Sequence, residues 1–359
     1  MASYYIGLMS GTSMDAIDAA IVQIGDTIQL IDSYSLAIPQ DIQQKTRALN
    51  HSAANDLQSS LILDRQWGQL FAQTVINTLQ HSGIEAAMVR AIGSHGQTVR
   101  HAPNAPYAYT LQIGDPNTIA ELCGIDVVAD FRRRDIAAGG QGAPLAPAFH
   151  QAVFASTEER RCIINIGGMA NITQLHGDPI IGFDSGPGNV LLDSWIQLHK
   201  GLAFDKNGAW AASGKALPGM LKAMLSDNYF SLAPPKSTGR EQFDQHWLET
   251  FLTGSEKPED VQATLAELTA RSICSSLPTD TQALYVCGGG AMNTYLMQRL
   301  EAISGKTTLT TEALGVSPQW LEAIAFAWLA KQCIEGRHGN IASVTGAIGE
   351  RVLGAIYQA

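Results

Sequence analysis

The chain of 359 residues has few charges for its length, and this shortage already excludes several classes of protein. Charged residues make up 16 % of it and hydrophobic residues 45 %, a composition too apolar for a disordered chain. Lysine and arginine number 23 against 33 acidic residues, and the net charge of −10 argues against nonspecific binding to nucleic acid or anionic membranes. An anionic small substrate is still compatible with this charge, because its site needs only local N–H donors and a few cations.

Closely spaced cysteines, an early basic segment and long apolar runs are also missing. The five cysteines are scattered without a CxxC pair, so neither a disulfide framework nor a zinc ribbon is indicated. No lysine or arginine precedes Lys45, and a secretory signal would need a basic start. The longest uncharged stretch, 136–157, is interrupted by glycine and proline, which predicts a loop and a helix rather than a membrane span. We therefore expect a cytoplasmic protein with reduced thiols.

Two common nucleotide-binding patterns are absent, whereas glycine is abundant. The chain contains no GxxxxGKS/T phosphate loop and no GxGxxG after its first strand. It does contain 34 glycines, and two similar segments use them in the same way. Apolar strands at 4–9 and 16–22 flank a turn of small residues, and strands at 161–166 and 171–175 flank another. This repeat, with the length of the chain, predicts two α/β domains that each open with a hairpin, the boundary lying within 131–146.

Glycine turns of this kind expose several backbone N–H groups and can surround an anion. A single turn of this kind is ambiguous evidence for an anion site, because hairpins also use glycine for steric reasons alone. Two turns, together with Gly288, Gly289 and Gly290 between a strand and a helix, favour a site for a nucleoside triphosphate.

Five motifs carry a family resemblance: GTSMDAID at 11–18, HGQTVRH at 95–101, NIGGMAN at 165–171, GFDSGPGN at 182–189 and CGGGAMN at 287–293. Together and in this order they resemble the anhydro-N-acetylmuramic acid kinase family over essentially the whole chain. The resemblance implies an α/β fold of two ribonuclease-H-like (actin-like ATPase) domains with an interdomain cleft that holds ATP. The expected lobes are 1–131 with about 340–359, and 132–339. A homodimer is also implied.

The resemblance implies a reaction that couples two bond changes. Water opens the 1,6-anhydro ring of anhydro-N-acetylmuramic acid, and the freed O6 takes the γ-phosphoryl group of ATP with the help of Mg²⁺. The product is N-acetylmuramic acid 6-phosphate, and the setting is peptidoglycan recycling. Two alternatives stay open: a simple sugar kinase without ring opening, and a non-enzymatic actin-like nucleotide-binding protein.

Two carboxylates are candidates for the chemistry. Asp184 follows an apolar segment and is expected at a strand end, where the resemblance makes it the general base. The alternative is that it caps the helix beginning near Asn189. Glu322 lies within a mostly apolar helix and resembles the family's glutamate that holds the attacking water. The alternative for Glu322 is a solvent-facing helix position.

The remaining candidates bind substrate, ATP or metal. Arg132, in the only dense basic run, is expected to hold the lactyl carboxylate, although such a run is often only a solvated or internally paired surface. The other expected sugar contacts are His95, Gln97, Thr98, Asp115 and Asn117, of which the last two equally suit a plain turn and helix start. The expected ATP contacts are Gly11, Thr12, Ser13, Met14, Asp15, Ala16, Ile17, Asp18, Gly167, Gly168, Asn171, Gly186, Gly188, Asn189, Gly288, Gly289, Gly290 and Asn293.

The first turn departs from the usual pattern in two ways. The acid that most superfamily members place before the glycine is missing, since Met9 and Ser10 precede Gly11. Asp15 or Asp18 would then take its place near the metal. Ala16 stands where the family usually has glycine, which costs little unless the backbone there is left-handed.

Overall fold

The computed structural model describes residues 2–11, 14–49, 56–234 and 236–359. They form two compact units, Met1–Val153 with Trp320–Ala359, and Phe154–Gln319. These bounds differ from the expected ones at 131 and about 340. The reason is that the helix at 321–334 packs on the sheet of the first unit. The segments around Asp135 and Asn340 also belong to this unit and hydrogen-bond to each other. None of the helices in the described ranges is long and apolar enough to cross a bilayer.

The strands and helices are numbered separately along the chain. The strands are β1 (Ser3–Met9), β2 (Ala16–Ile24), β3 (Ile28–Ala37), β4 (Val89–Ser94), β5 (Gln97–Ala102), β6 (Tyr109–Ile113), β7 (Val127–Ala129), β8 (Arg161–Ile166), β9 (Met169–Gln174), β10 (Ile181–Pro187), β11 (Ala283–Cys287), β12 (Thr307–Thr310) and β13 (Ala355–Tyr357). The helices are α1 (Gln40–Ala48), α2 (Asp56–Ser82), α3 (Pro116–Cys123), α4 (Arg133–Ala137), α5 (Ala146–Phe154), α6 (Val190–Lys200), α7 (Ala209–Ser213), α8 (Pro218–Leu225), α9 (Asn228–Ser231), α10 (Gln245–Glu249), α11 (Pro258–Ser275), α12 (Thr294–Ser304), α13 (Leu321–Ile334) and α14 (Ala342–Thr345).

The two units share one sheet topology. In the first, the order is β3-β2-β1-β4-β7 with β13 added at the edge; in the second it is β10-β9-β8-β11-β12. Each begins with an antiparallel meander of three strands, and two further strands lie parallel to the first. The repeat seen in the sequence is therefore a repeat of the ribonuclease-H-like sheet, and the predicted α/β class with two such domains is confirmed. This order brings the turn after the first strand and the ends of the two parallel strands to one edge of each sheet.

Each unit has its own apolar core. In α2, Trp67, Phe71 and Val75 are four residues apart and fully buried, as the helical period requires. In the second unit, the strands β8 and β11 are buried along almost their whole length, and α11 contributes a run of buried residues. Parallel strands covered on both faces are expected to be continuously apolar in this way.

Helix α13 lies unusually close to the sheet of the first unit, and two glycines make this possible. A Cβ added to Gly7 in β1 would lie 1.8 Å from the carbonyl oxygen of Ala323, and one added to Gly93 in β4 would lie 2.0 Å from that of Phe326. Neither position tolerates a side chain without displacement of the helix. These two glycines therefore set the distance at which α13 packs.

Two local features of the fold have no clear signal in the sequence. The segment after Ser94 forms the β5–β6 hairpin, whose buried positions include the polar Gln97 and Thr110 and so show no apolar alternation. The residues from Ala209 to Leu225 form two helices, α7 and α8, rather than one. The chain breaks between them because Gly214 passes against the backbone of Glu259.

We predict that Gly93→Ala lowers the free energy of unfolding by about 1–3 kcal/mol, because the added methyl group must push α13 off the sheet. Urea denaturation measures the change. Gly219→Ala is the control, since a Cβ there has no neighbour within 4 Å. Equal stability of the Gly93 variant and the wild-type protein would contradict this account of the packing.

Candidate active site

In the first unit, four of the predicted sugar contacts line one cavity of about 280 Å³. It lies at the sheet edge where β1 and β4 end. Its walls are Met9, Ser10, Gly11, His95, Gln97, Thr98, His101, Arg132 and Ala143. Ser10 Oγ donates to Gln97 Oε1 at 2.7 Å, and both side chains are buried. The structure thus brings the end of the first glycine turn together with His95, Gln97, Thr98 and Arg132.

Partly buried Arg132 and buried His95 form a hydrogen-bonded pair that fixes the protonation of both. The Nε and Nη2 atoms of Arg132 donate to His95 Nε2, at 3.1 and 2.8 Å. Burial and the neighbouring guanidinium hold the pKa of His95 well below its usual range, so the ring is neutral and carries its proton on Nδ1. Burial lowers the pKa of Arg132 to about 10 although Glu322 and Asp135 oppose this, and Arg132 remains a cation at neutral pH. The pair offers a fixed positive charge to the cavity.

Asp135 positions Arg132 and was not singled out by the sequence analysis. This fully buried carboxylate accepts hydrogen bonds from Gly142 N at 2.8 Å, Asn340 Nδ2 at 2.6 Å and Thr345 Oγ1 at 2.7 Å. Gly142 O in turn accepts from Arg132 Nη1 at 2.8 Å. The carboxylate therefore orders the loop that holds the guanidinium.

Glu322 lies in the first turn of α13, with its side chain exposed. Its charge raises the pKa of Arg132, which places the two groups within electrostatic reach. One turn further along α13, the ring of Phe326 lies 4.8 Å from the ring of His95. The helix thus supports the Arg132–His95 pair and carries the second candidate carboxylate beside it.

Asp115 and Asn117 have the structural role that was weighed as their alternative. Asp115 caps α3 by accepting from the backbone N–H groups of Asn117 and Thr118, and it contacts Arg65 at 3.3 Å. Neither residue lines the cavity that contains His95 and Arg132.

The first glycine turn is described only in part, because Thr12 and Ser13 lie outside the described residues. Met14, not Ala16, has the left-handed backbone, with φ of 57°, so the methyl group of Ala16 causes no strain where β2 begins. Ile17 is fully buried in the core, which leaves only its backbone for a ligand.

Two acids follow this turn in different surroundings. Asp15 is exposed beside the turn, whereas Asp18 accepts from Ser35 Oγ at 2.8 Å and burial raises its pKa. Among the residues that the structure describes, no three His, Cys, Asp or Glu side chains cluster as metal ligands. A magnesium ion usually needs only one or two protein carboxylates, together with water and phosphate oxygens.

In the second unit, polar side chains form a row across three neighbouring strands. Asn165 in β8 is paired with Asn171 in β9, and Asn171 is paired with Asp184 in β10. Directly opposite residues in antiparallel strands share a face, so the three side chains lie side by side near the sheet edge. The register shifts just after Asp184, and this bulge marks the end of regular pairing.

Asp184 is held from both sides by the loop 236–238. Its backbone N–H donates to Lys236 O at 3.0 Å, and its Oδ2 accepts from Thr238 N at 3.0 Å. Its carbonyl oxygen accepts from Tyr229 Oη at 2.8 Å. Burial raises the pKa of Asp184 to about 6, although the Thr238 N–H stabilises the ionised form. The alternative in which Asp184 only caps a helix finds no support in these contacts, because α6 shows no side-chain cap.

The second glycine turn is open on one side. The carbonyl oxygens of Gly167 and Gly168 accept from the N–H groups of Gly188, Asn189 and Val190, so the start of α6 is bonded to the turn itself. A Cβ on Gly167 or Gly168 would meet no atom closer than 3.7 Å. These two positions have free space for a ligand.

Gly186 and Gly188 are glycines for steric reasons. A Cβ on Gly186 would lie 2.8 Å from the Phe230 ring, and one on Gly188 would lie 2.5 Å from Gly167 O. Asn189 donates through Nδ2 to Ile166 O at 3.1 Å, which further ties α6 to the turn. These residues, predicted as ATP contacts, are therefore required by contacts within the protein itself.

The three glycines at 288–290 also differ in the space around them. Gly288 has φ of 76°, and a Cβ there would lie 2.3 Å from Asn165 Oδ1, while one on Gly290 would lie 2.4 Å from the side chain of Ile166. Gly289 has free space, its nearest atom at 3.5 Å. Asn293 caps α12, its Oδ1 accepting from Leu296 N at 3.0 Å. Of this segment, Gly289 has the most room for a ligand.

Two comparisons of the sequence with known proteins identify the same family. The sequence profile of the anhydro-N-acetylmuramic acid kinase family matches residues 3–359. An anhydro-N-acetylmuramic acid kinase of Shewanella loihica is 55 % identical over 99 % of this chain and 98 % of its own, and one of Coxiella burnetii is 49 % identical over 98 % and 97 %. Among solved structures, component A of (R)-2-hydroxyglutaryl-CoA dehydratase from Acidaminococcus fermentans superimposes with a TM-score of 0.49 at 11 % identity, covering 90 % of this chain and 96 % of that one.

We predict that Asp184→Asn stabilises the protein above pH 6. Because folding raises the pKa of this carboxyl from 3.8 to about 6, the ionised form is disfavoured in the folded state. The neutral variant gains roughly 1–3 kcal/mol at pH 8, and this gain disappears below about pH 4, where the wild-type carboxyl is neutral in both states. Urea denaturation between pH 4 and 8 measures the difference.

Asp178→Asn is the control for this measurement, because Asp178 is exposed in the same unit. Its stability difference should be small at every pH. A difference for Asp184→Asn that does not change with pH would show that the carboxyl is not disfavoured by burial.

Proposed function

This chain belongs to the anhydro-N-acetylmuramic acid kinase family, and on that premise we propose that Asp184 is its general base. The protein is an ATP-dependent kinase that opens the 1,6-anhydro ring of anhydro-N-acetylmuramic acid by hydrolysis and phosphorylates O6. The product, N-acetylmuramic acid 6-phosphate, enters the recycling of peptidoglycan. The observation that carries the assignment is a partly buried carboxylate at a strand end with a raised pKa and one oxygen already bonded.

The position of Asp184 suits a base that acts on water. A pKa of about 6 leaves it mostly ionised at pH 7 and still basic enough to take a proton. Thr238 N–H holds Oδ2, so Oδ1 is the oxygen that receives the proton. The oxygen of the water forms a bond to C1 as the bond from C1 to O6 breaks. O6 then bonds to the γ-phosphorus, and ADP leaves with the electrons of the broken P–O bond.

The cavity of the first unit supplies the sugar contacts in this proposal. Arg132 has two N–H groups beyond those given to His95 and Gly142, and a planar guanidinium suits the lactyl carboxylate. Gln97 and Thr98 line the same cavity and supply polar contacts to the sugar. Glu322 holds the attacking water. Asp115 and Asn117 serve the start of α3 instead.

ATP is bound by backbone at the glycine turns. We assign the phosphates to the turns at 11–18 and at Gly167 and Gly168, and the nucleoside to the segment at Gly289, where there is free space. Mg²⁺, when bound, neutralises charge on the β- and γ-phosphates. Asp15 is the carboxylate that would hold it, because it is exposed at the first turn while Asp18 is bonded to Ser35.

We further propose that the enzyme acts in the cytoplasm, where ATP is available, and that it is a homodimer, as the family resemblance implies. Light scattering on the purified protein measures the mass, and a monomer would overturn the second proposal.

We predict that Asp184→Asn lowers kcat by about 10²–10⁴-fold and leaves ATP affinity nearly unchanged, because the base is lost while the glycine turns remain. Turnover in H₂¹⁸O, followed by mass spectrometry, reports on the hydrolytic half of the reaction. The wild-type enzyme should place one ¹⁸O at C1 of the phosphorylated product. Product without ¹⁸O would favour the simple sugar kinase, and an active Asp184→Asn enzyme would remove Asp184 from the mechanism; Asp178→Asn is the control.

We predict that Arg132→Gln raises KM for anhydro-N-acetylmuramic acid at least about 10-fold, since it loses a charge-assisted contact to the carboxylate. For anhydro-N-acetylglucosamine, a sugar without the lactyl group, the same substitution should change KM little. Arg134→Gln is the control, because Arg134 lies in the same basic run with an exposed side chain. Equal losses for both sugars would mean that Arg132 does not recognise the carboxylate.

A further inference from the structure

Arg240 lies beside the open face of the second glycine turn. A Cβ placed on Gly168 would be 3.7 Å from both Nε and Nη2 of Arg240. The guanidinium is thus the nearest group to the space above Gly168, and the Arg240 side chain is exposed. The sequence analysis did not single out this residue.

The charge of Arg240 is not used by the described residues. Several other arginines of this acidic chain pair with carboxylates, as Arg133 does with Asp130 at 2.7 Å and Arg299 with Glu267 at 2.8 Å. Arg240 has no ion pair and no hydrogen bond within the described ranges. The cation has no carboxylate partner there, and the neighbouring turn has glycines that leave room for an anion. A phosphate bound at this turn would pair with the guanidinium and accept hydrogen bonds from it.

The segment that carries Arg240 is the one that holds Asp184. Lys236 and Thr238 make the two backbone hydrogen bonds to Asp184, and Thr238 Oγ1 also donates to Gln242 Oε1 at 2.8 Å. The backbone N–H groups of Gln242 and Phe243 donate to Gly239 O, so Arg240 lies within a hydrogen-bonded turn. Phe243 is fully buried and fixes the end of this segment. The position of Arg240 is therefore set by the same loop that positions the base.

We propose that Arg240 binds the terminal phosphates of ATP above Gly168. This inference rests on the proposed placement of the triphosphate at that turn. A guanidinium there neutralises charge on the phosphoryl group as the bond to ADP lengthens, which is the main demand of phosphoryl transfer. One loop then carries both halves of the chemistry, the clamp on the base for ring opening and the cation for phosphoryl transfer.

The test compares Arg240→Gln and Arg240→Lys with the wild-type enzyme. Arg240→Gln should lower kcat/KM for ATP by about 10–10²-fold, and Arg240→Lys should recover part of it, since lysine keeps the charge without the fork. Calorimetry with a nonhydrolysable ATP analogue, ADP and AMP should show affinity losses that grow with the number of phosphates. Arg90→Gln is the control, because it removes one exposed positive charge far along the chain from this loop.

Three outcomes separate the explanations. A loss of activity with equal loss of affinity for AMP and the ATP analogue would overturn the proposal, because it would indicate a disturbed nucleoside site. A shift of the acidic limb of the pH profile of kcat/KM in Arg240→Gln would also overturn it, since Arg240 would then act by holding Asp184. If the wild-type enzyme turns over ATP and Arg240→Gln equals it, the inference fails and the proposed function stands; if the wild-type enzyme does not bind ATP, the proposed function itself fails.

Discussion

The close packing of α13 on the sheet of the first unit is the constraint on which its site depends. Gly7 and Gly93 let the helix backbone touch β1 and β4, where any side chain would overlap a carbonyl group. At that distance Phe326 reaches the ring of His95 and Glu322 lies within electrostatic reach of Arg132. A helix placed farther out would lose both contacts at once. The sheet glycines therefore do not line the cavity but determine its electrostatics.

The two units fix their reactive groups by opposite means. In the first, Asp135 receives three hydrogen bonds and orders the loop of Arg132, so that a buried charge is fully satisfied and contributes to structure. In the second, Asp184 has one donor on its carboxylate, and burial raises its pKa. Because this carboxylate is incompletely solvated, its ionised form lowers the stability of the folded protein at neutral pH. The same effect makes it bind a proton more readily, so it is a better base. The carboxylate with three hydrogen bonds is structural, and the one with a single donor among the described residues is the group that we propose for catalysis.

Much of the fold could be predicted because its signals are local. The strands β1, β2 and β8 are short apolar runs next to glycine, and each was located to within a few residues. The β5–β6 hairpin could not be found in this way, because its buried face holds polar groups that bond to each other. Asp135 and Arg240 were missed for a related reason: their partners, Asn340 and Gly168, are distant in the chain, and no local spacing indicates such a contact.

The glycines of one motif are required for different physical reasons. The motifs marked Gly167, Gly168, Gly186, Gly188 and the triple glycine alike as contacts for ATP. In the structure, Gly186, Gly188, Gly288 and Gly290 are required because a Cβ would strike the protein itself, and only Gly167, Gly168 and Gly289 have free space. The first group brings α6 and the end of β11 against the turn, and the second leaves the surface that a ligand can approach. A ligand site of this type therefore needs both kinds of glycine. The glycines that pack against the protein let the neighbouring segments approach one another, and the glycines with free space then form the surface that a ligand contacts.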